Sequence, residues 1–554
     1  MLVDPVLIVG GGPVGLTTAL LLARWGVPSI VFEAEPVRDR TGSRAICFQR
    51  DVLDIFDRIG CADPMIAEGV TWTTGRTYYR EHELFAVTFP RPAPGGPPPW
   101  INISQASVEG YLAAAAAKQP LIDIRAGQPV IGGRQTDTGV EVDTPAGTVR
   151  GSHLVGADGG HSTVRRLLGI AFPGRSYDDL FLICDIRADL PFPNERRFFF
   201  DPAWNPGRQV LVHQQPDSVW RIDWQVPPDF DPGAERASGA LDARIRKIVG
   251  DRPYEIVWQS VYRFQERVAE RFGVGRAFLV GDAAHLYAPF GARGLNSGVQ
   301  DAENLAWKLA FVRRGWAPRA LLDSYHIERR GAAIENLRVT GTTMKFLVPR
   351  TEEQRAFRRD TLDRALTDPA ARGLINSGKL AEPYWYLDSP LTTPPTAPLT
   401  GPGPATKEPA EHGAAGPPAP GVLCPDAPCL AAAGGGGRRE GPAGEAAPGE
   451  TGRENKVPTR LRRLFGRGFV ILAGGASAPP PPAAGCPIEA YAVAEIDAGG
   501  AVRAALGAAA DGVSLVRPDG HLAAVLPGMD GVPSALRRAL GHGPTGGTGP
   551  GKIF

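Results

Sequence analysis

The chain has 554 residues, of which 43% are hydrophobic and 21% are charged, with 60 Lys and Arg against 59 Asp and Glu. This length predicts two or three domains. The balanced charge gives no electrostatic footprint for nucleic acid or an anionic membrane surface, and no apolar run approaches the roughly 18 residues of a membrane helix. Six scattered cysteines form no disulfide framework, and the N-terminus lacks the basic start of a signal peptide. We therefore expect a cytoplasmic protein with small-molecule partners.

The chain opens with a strand, a glycine-rich turn and a helix. The apolar run Val6–Val9 is typical of a buried parallel strand, and it is followed by Gly-Gly-Gly-Pro-Val-Gly at 10–15 and a helical pattern over 16–25. Gly10 would make the tight turn, Gly12 would admit a pyrophosphate, and Gly15 would let the helix pack on the strand. A second apolar run, 29–32, ends on Glu33, which is placed to accept hydrogen bonds from a ribose. This order predicts a Rossmann-like dinucleotide site and favours NAD or FAD over NADP.

Two later motifs each pair a strand that ends in small residues with an aspartate. The first, at 154–166, contains Asp158 and Arg165, and the second, at 276–285, contains Asp282. The second leads through a Pro- and Gly-containing loop at 289–296 into a helical pattern over 297–311. Helix capping is the alternative role for both aspartates, because Asp is a favoured cap.

These three motifs, with these spacings, resemble those of the class A flavoprotein monooxygenases, the family of para-hydroxybenzoate hydroxylase, over roughly residues 5–350. Ile-Asn-Ile-Ser-Gln at 101–105 and Ser-Arg-Ala at 43–45 are similar to segments of the 3-(3-hydroxyphenyl)propionate hydroxylases and polyketide aromatic hydroxylases. The resemblance implies FAD as cofactor, NADPH or NADH as co-substrate, and hydroxylation of a phenolic or polycyclic aromatic substrate by O2 through a flavin C4a-hydroperoxide. Baeyer–Villiger oxygenation, epoxidation, simple oxidation and a non-catalytic flavin-binding scaffold remain alternatives.

The resemblance also implies a set of cofactor-binding positions. Asp282 would hold the ribityl chain, Arg44 and Gln105 would lie near the pyrophosphate and ribityl, and the 289–296 loop would line the isoalloxazine. The full set is Gly10, Gly12, Pro13, Val14, Gly15, Glu33, Ala34, Arg44, Gln105, Val130, Asp158, Arg165, Asp282, Pro289, Gly291, Gly294, Leu295 and Asn296. One departure is Ala292-Arg293, where the family often carries Gly-Gln. His285 is expected to be a packed residue of this loop, no catalytic base is assigned, and no metal site is predicted.

Residues 181–264 alternate in the manner of strands. Val219–Val226 places Trp220, Ile222, Trp224 and Val226 on one face and polar residues on the other. The resemblance implies that this sheet covers the flavin and carries the substrate. His213 and Trp224 are the candidate substrate contacts, although a half-buried sheet produces the same pattern.

The predicted fold is α/β, with a Rossmann-like FAD-binding domain over 1–180 and 265–350 and a substrate-binding β-sheet inserted at 181–264. A helical tail over 351–390 and a linker at 391–418 would precede a domain at 419–545 with a flexible insertion at 431–455. Cys424 to Cys429 and the strand-turn at 512–521 resemble the thioredoxin-like domain appended to many of these hydroxylases. Because the redox spacing Cys-x-x-Cys is absent, we expect a structural or dimer-forming domain and leave a homodimer open.

Overall fold

The computed structural model describes residues 4–37, 45–92, 95–395, 418–432, 456–483, 485–497 and 499–543. The chain divides into two compact units. Unit 1 comprises 1–92, 97–303 and 329–382, and unit 2 comprises 93–96, 304–328 and 383–554. Within the described ranges, no helix is long and apolar enough to cross a membrane.

Unit 1 contains most of the strands. They are β1 (Val6–Val9), β2 (Ser29–Phe32), β3 (Cys47–Gln49), β4 (Val70–Trp72), β5 (Thr74–Tyr79), β6 (His82–Thr88), β7 (Trp100–Asn102), β8 (Ile122–Arg125), β9 (Gly132–Gln135), β10 (Val140–Thr144), β11 (Gly147–Gly151), β12 (His153–Gly156), β13 (Gly174–Arg187), β14 (Arg196–Phe200), β15 (Gln209–Gln214), β16 (Val219–Val226), β17 (Glu255–Val268), β18 (Gly273–Val274), β19 (Ala277–Leu279) and β20 (His285–Leu286). The helices up to residue 372 are α1 (Pro13–Arg24), α2 (Arg50–Arg58), α3 (Ala62–Glu68), α4 (Gln105–Ala116), α5 (Thr163–Leu167), α6 (Pro232–Ala237), α7 (Ala240–Val249), α8 (Gly294–Arg313), α9 (Asp323–Leu347), α10 (Glu352–Ala365) and α11 (Pro369–Arg372).

The first large sheet of unit 1 has six strands in the order β18-β19-β12-β1-β2-β8. β1 pairs in parallel with β2 and with β12, and all four of its residues are buried. Parallel strands covered on both faces need continuous apolar sequence, which explains the run at 6–9. The predicted bounds of β1 and β2 are confirmed.

The second large sheet has eight strands in the order β20-β17-β13-β16-β15-β14-β5-β6. Its long strands lie mainly within the predicted inserted segment 181–264, but β13 begins at Gly174 and β17 ends at Val268, so the predicted bounds are too narrow. β20 follows the segment, β5 and β6 come from residues 74–88, and β5 pairs in parallel with β14. Sequence reasoning missed this pairing because nothing local links residues more than 100 positions apart.

The 181–264 segment also contains helices, which the strand-like pattern did not predict. Leu241, Ile245 and Val249 of α7 recur at helical spacing and are buried. They form one apolar cluster with Leu182, Cys184, Val210, Ile222 and Trp224 of the sheet. The apolar face of β16 therefore meets a helix.

Unit 2 is built around a four-stranded sheet in the order β24-β23-β25-β26. Its elements are β21 (Pro428–Ala432), β22 (Lys456–Arg460), β23 (Phe469–Ala473), β24 (Ile488–Ala492), α12 (Val493–Ile496), α13 (Ala501–Leu506), β25 (Val513–Val516), β26 (Leu522–Leu526) and α14 (Val532–Ala539). β23 is parallel to β24 and antiparallel to β25, which is antiparallel to β26. The predicted hairpin at 512–521 is present. Residues 396–417 of the predicted linker and 433–455 of the predicted insertion lie outside the described residues.

Candidate functional site

The turn between β1 and α1 depends on three glycines with different surroundings. Gly10 has a φ of +105°, a conformation that side chains rarely adopt. A Cβ at Gly15 would overlap the carbonyl oxygen of Gly10, whereas a Cβ at Gly12 would meet no atom within 4 Å. Gly12 is the N-cap of α1, which begins with Pro13. The backbone N–H groups at the start of this helix therefore lie next to the open space at Gly12. A pyrophosphate fits such a cradle.

Glu33 follows β2 and lies beside this turn. Its carboxylate accepts hydrogen bonds from the backbone N–H of Gly11 at 2.8 Å and of Glu35 at 3.0 Å. Glu33, Ala34 and Val130 line the same cavity as Gly10 and Gly12. The predicted ribose-binding carboxylate is therefore held where the second strand and the glycine turn meet.

Asp158 has the capping role that the sequence left as an alternative. Its carboxylate accepts hydrogen bonds from the Ser162 hydroxyl at 2.6 Å and from the backbone N–H groups of Thr163 and Val164 at 2.7 and 3.0 Å. Asp158 also lines the cavity. The cap fixes the β12–α5 loop whether or not a ligand contacts the carboxylate.

Arg165 lies behind the cavity and is not among its lining residues. Its guanidinium donates to the carbonyl oxygens of Ala283 at 2.8 Å and Gly160 at 2.7 Å, and it lies 3.8 Å from the ring centroid of Phe172. Arg165 thus joins the loops that carry the two motif aspartates, Asp158 and Asp282. This position indicates a scaffold contact.

A buried carboxylate, that of Asp301, also holds the Asp282 loop. Asp301 accepts hydrogen bonds from the backbone N–H of Gly281 at 3.0 Å, and it pairs with His285 at 2.7 Å and Arg329 at 2.6 Å. Burial pushes the pKa of Asp301 upwards, but His285 and Arg329 together hold it below the usual value. His285 is completely buried, as expected for a packed residue. Asp301 and Arg329 were missed, although a charged residue inside the apolar pattern of α8 was a signal.

The 289–296 loop brings the start of α8 to the cavity. Gly291 and Ala292 both have positive φ, +88° and +55°. Arg293, at the position that departs from the family pattern, donates to the carbonyl oxygen of Lys379 at 2.5 Å and to Asn336 Oδ1 at 3.1 Å. Asn296 donates through Nδ2 to the carbonyl oxygen of Cys47 at 2.9 Å. These contacts fix the loop, and the 20-residue helix α8 begins at the cavity with its partial positive charge.

One cavity of about 670 Å³ brings most of the predicted residues together. The predicted positions that line it are Gly10, Gly12, Pro13, Val14, Glu33, Ala34, Gln105, Val130, Asp158, His213, Asp282, Pro289, Gly291, Gly294, Leu295 and Asn296. Gly15 and Arg165 lie outside the lining as structural neighbours. Arg44 lies outside the described residues.

The sheet side of the cavity is more polar than the sequence indicated. His213, Arg221 and Asp223 line it beside Ile183 and Leu211. Burial lowers the pKa of His213 well below its usual value, with Arg196 and Arg221 acting in the same direction, so His213 is neutral. Sequence reasoning missed Arg221 and Asp223 because its candidate contact on β16, Trp224, lies on the opposite face of the strand.

Arg196 adds a buried cation to the same wall. It lines the cavity, is 6% exposed, and donates to the carbonyl oxygen of Ser377 at 2.7 Å. Burial lowers its pKa to about 10, and within the described part of the chain only Cys47 acts in the opposite direction. A buried guanidinium without a carboxylate partner favours an anionic or electron-rich group in the adjacent space.

Trp224 is not among the cavity-lining residues and belongs to the apolar cluster beneath the sheet. Its neighbours Leu182 and Val210, directly opposite on β13 and β15, lie in the same cluster. The alternation of β16 was identified correctly, but its apolar face packs on α7. We therefore do not retain Trp224 as a substrate contact.

The fold and the site together define an α/β protein in which the glycine-rich turn of the first sheet and residues of the second large sheet line the same cavity. The family model described as FAD binding domain matches residues 4–340, more than half of the chain. The chain belongs to this family, that of the class A flavoprotein monooxygenases, which confirms the family and the FAD cofactor expected from the motifs.

Known proteins resemble the chain over different parts of its length. It is 33% identical over 364 residues to the 3-(3-hydroxy-phenyl)propionate/3-hydroxycinnamic acid hydroxylase of Mycobacterium sp. (strain KMS), a match that covers 65% of this chain and 62% of that protein. It is 35% identical over 363 residues to the dialkyldecalin synthase of Streptomyces rugosporus, covering 64% and 76%. The structure of the flavin-dependent monooxygenase PieE in complex with FAD and substrate matches with a TM-score of 0.76 and 25% identity, over 97% of this chain and 99% of PieE.

Proposed function

We propose that this protein is an FAD-dependent monooxygenase that uses NADPH or NADH and O2 to hydroxylate a phenolic or polycyclic aromatic substrate. The observation that carries the proposal is the continuity of one cavity. It runs from the glycine cradle and Asp282 to a sheet wall with apolar and ionisable side chains. Ligand sites that combine apolar walls with a few fixed polar groups suit aromatic compounds.

In this proposal the cofactor lies along the lining from Gly12 to Asn296. Gly12 and the N-terminus of α1 would hold the pyrophosphate, Glu33 the adenosine ribose, and Asp282 the ribityl chain. Gln105, at the start of α4, donates to Glu109 at 2.8 Å, and both residues line the cavity, so they would flank the ribityl region. When bound, FAD would supply the redox chemistry that activates O2.

The protein's own groups would position the substrate and exclude water. Phe181, Ile183, Leu211 and Phe264 give the substrate region an apolar surface, and Phe181 stacks on Phe264 with ring centroids 4.1 Å apart. Arg196 would hold an acidic or electron-rich group of the substrate. Holding the reacting ring in one orientation is the main contribution that such a site makes.

For unit 2 we infer a thioredoxin-like domain with a structural role. The β23-β24 parallel pair followed by the antiparallel β25 and β26 and by α14 supports this assignment. Cys424 and Cys429 are buried, and burial raises the pKa of both thiols to about 12. Thiols of this kind are poor nucleophiles, so dithiol chemistry is not part of the proposal.

The test is consumption of NADPH and NADH by the FAD-loaded protein across a panel of phenols and polycyclic aromatic compounds. We expect at least one compound to stimulate consumption and to be converted to a hydroxylated product. Formation of a dialkyldecalin in place of a hydroxylated product would instead favour the chemistry named for the dialkyldecalin synthase. Stimulated consumption that yields only hydrogen peroxide would contradict oxygen transfer.

A further inference from the structure

Asp223 occupies the centre of the sheet wall of the cavity. In the strand register it lies directly between Ile183 on β13 and Leu211 on β15. Side chains directly opposite each other on neighbouring strands share a face, and all three residues line the cavity. A carboxyl group is thus flanked by two apolar side chains where the substrate is expected.

The neighbouring cation, Arg221, forms its ion pair with Asp185 and not with Asp223. Arg221 donates to both oxygens of Asp185, through Nε and Nη2, at 2.8 Å each. No described cation lies within ion-pair distance of Asp223, and its Oδ1 makes no hydrogen bond with the described residues. Unsatisfied buried polar atoms are costly and rare, so a ligand that donates a hydrogen bond to Oδ1 would remove this cost.

The surroundings of Asp223 allow it to change protonation state near neutral pH. Burial raises the pKa of Asp223 to about 7, Arg221 lowers it and Asp185 raises it. Two other ionisable residues line this wall: His213, which is neutral, and Arg196. Tyr262 interacts with Arg221. A base with a pKa near the working pH combines an ionised form with useful proton affinity.

We propose that Asp223 is the catalytic base that accepts the hydroxyl proton of a phenolic substrate. The inference rests on the proposed function. The substrate O–H bond breaks, its electron pair stays on the phenolic oxygen, and the proton forms an O–H bond with the carboxylate of Asp223. The phenolate that results is the more electron-rich ring, which an electrophilic oxygen donor attacks more readily. Arg196, which lines the cavity, offsets the negative charge that moves onto the substrate.

The experiment follows the ionisation of 4-nitrophenol bound to the FAD-loaded protein, because the ionised form is coloured. Two interacting groups that share protons titrate in two macroscopic steps. We therefore expect the colour of the bound probe to rise in two steps across neutral pH in the wild type. Asp223→Asn should give one step, because only the probe then titrates. Asp223→Glu should restore two steps.

The controls separate this inference from the proposed function and from loss of folding. FAD content should be the same in all three proteins, and all three should bind 4-nitroanisole, which has no proton to donate. A two-step titration in Asp223→Asn would overturn the role of Asp223 and leave the hydroxylase proposal standing. Failure of the FAD-loaded wild type to bind either probe would contradict a phenol site, and with it the proposed function.

Discussion

At the residue scale, Asp282 shows how the fold positions a residue of the proposed cofactor site. Asp282 lies in a short turn, 281–283, and lines the cavity. Asp301 holds the turn through the Gly281 N–H, and Arg165 holds it through the Ala283 carbonyl. The backbone on both sides of Asp282 is therefore fixed, and a fixed backbone lowers the entropy cost of binding a ligand at this turn.

We predict that Asp282→Ala weakens FAD binding by about 10- to 100-fold, because hydrogen bonds to a charged group contribute about 1.5–3 kcal/mol. The measurement is flavin occupancy after gel filtration, with affinity determined by fluorescence titration of the apoprotein. Asp229→Ala, at an exposed position outside the cavity lining, is the matched control. Unchanged FAD affinity in Asp282→Ala would remove Asp282 from the cofactor site.

Sequence reasoning found residues that belong to local motifs and missed those that depend on packing. Gly10, Asp158 and Asp282 each follow a strand at a fixed spacing, so the sequence alone indicated them. On β16 the period of two separated Trp224 from Asp223 correctly. The period of two could not show which face of β16 lines the cavity, because the choice of face depends on where α7 packs.

At the scale of elements, replacing glycine by alanine in the β1–α1 turn is expected to have different effects at positions 12 and 15. A methyl group at Gly15 would overlap the Gly10 carbonyl oxygen inside the turn, whereas one at Gly12 would project into open space. The first position supports the contact between helix and strand. The second leaves room for a ligand.

We therefore predict that Gly15→Ala destabilises the apoprotein, whereas Gly12→Ala leaves its unfolding midpoint unchanged and lowers FAD affinity by at least about tenfold. Chemical denaturation of the apoproteins and flavin titration give the two measurements. Each variant serves as the control for the other. Equal loss of stability in both would show that Gly12 is also a packing position.

The same distinction between local and distant determinants applies to whole elements. β1, β2, β16 and the 512–521 hairpin were predictable because strand periodicity and turn residues lie within a few positions. The pairing of β5 with β14 and the packing of α7 against the sheet depend on residues far apart in the chain. They could not be read from a single sequence.

At the scale of the molecule, unit 2 joins residues 304–328 to the C-terminal segment through a buried group of charges. Arg517 donates to both oxygens of Glu328, at 2.6 and 3.0 Å, and Lys308 donates to Glu328 at 2.6 Å. Arg517 also pairs with Asp519 at 2.5 Å, and all four side chains are at most 2% exposed. Because water does not reach these side chains, each buried charge is stabilised by the opposite charges beside it.

We predict that Arg517→Ala lowers the free energy of unfolding by about 3–5 kcal/mol, because it removes the buried guanidinium that the carboxylates of Glu328 and Asp519 share. Arg503→Ala is the control: Arg503 is 47% exposed and pairs with Asp511, which is 79% exposed, and exposed pairs contribute about 0–1 kcal/mol. Denaturant unfolding of both variants is the measurement. A loss in Arg517→Ala no larger than in the control would show that the cluster does not stabilise unit 2.

The most direct test of oxygen transfer is mass spectrometry of the product formed under ¹⁸O-labelled O2 with the FAD-loaded protein, a nicotinamide and a stimulating phenol. We predict one labelled oxygen atom in a hydroxyl group on an intact aromatic ring. One labelled atom in an opened or expanded ring would instead indicate Baeyer–Villiger chemistry. A product without label would contradict the account of the cavity as a monooxygenase site.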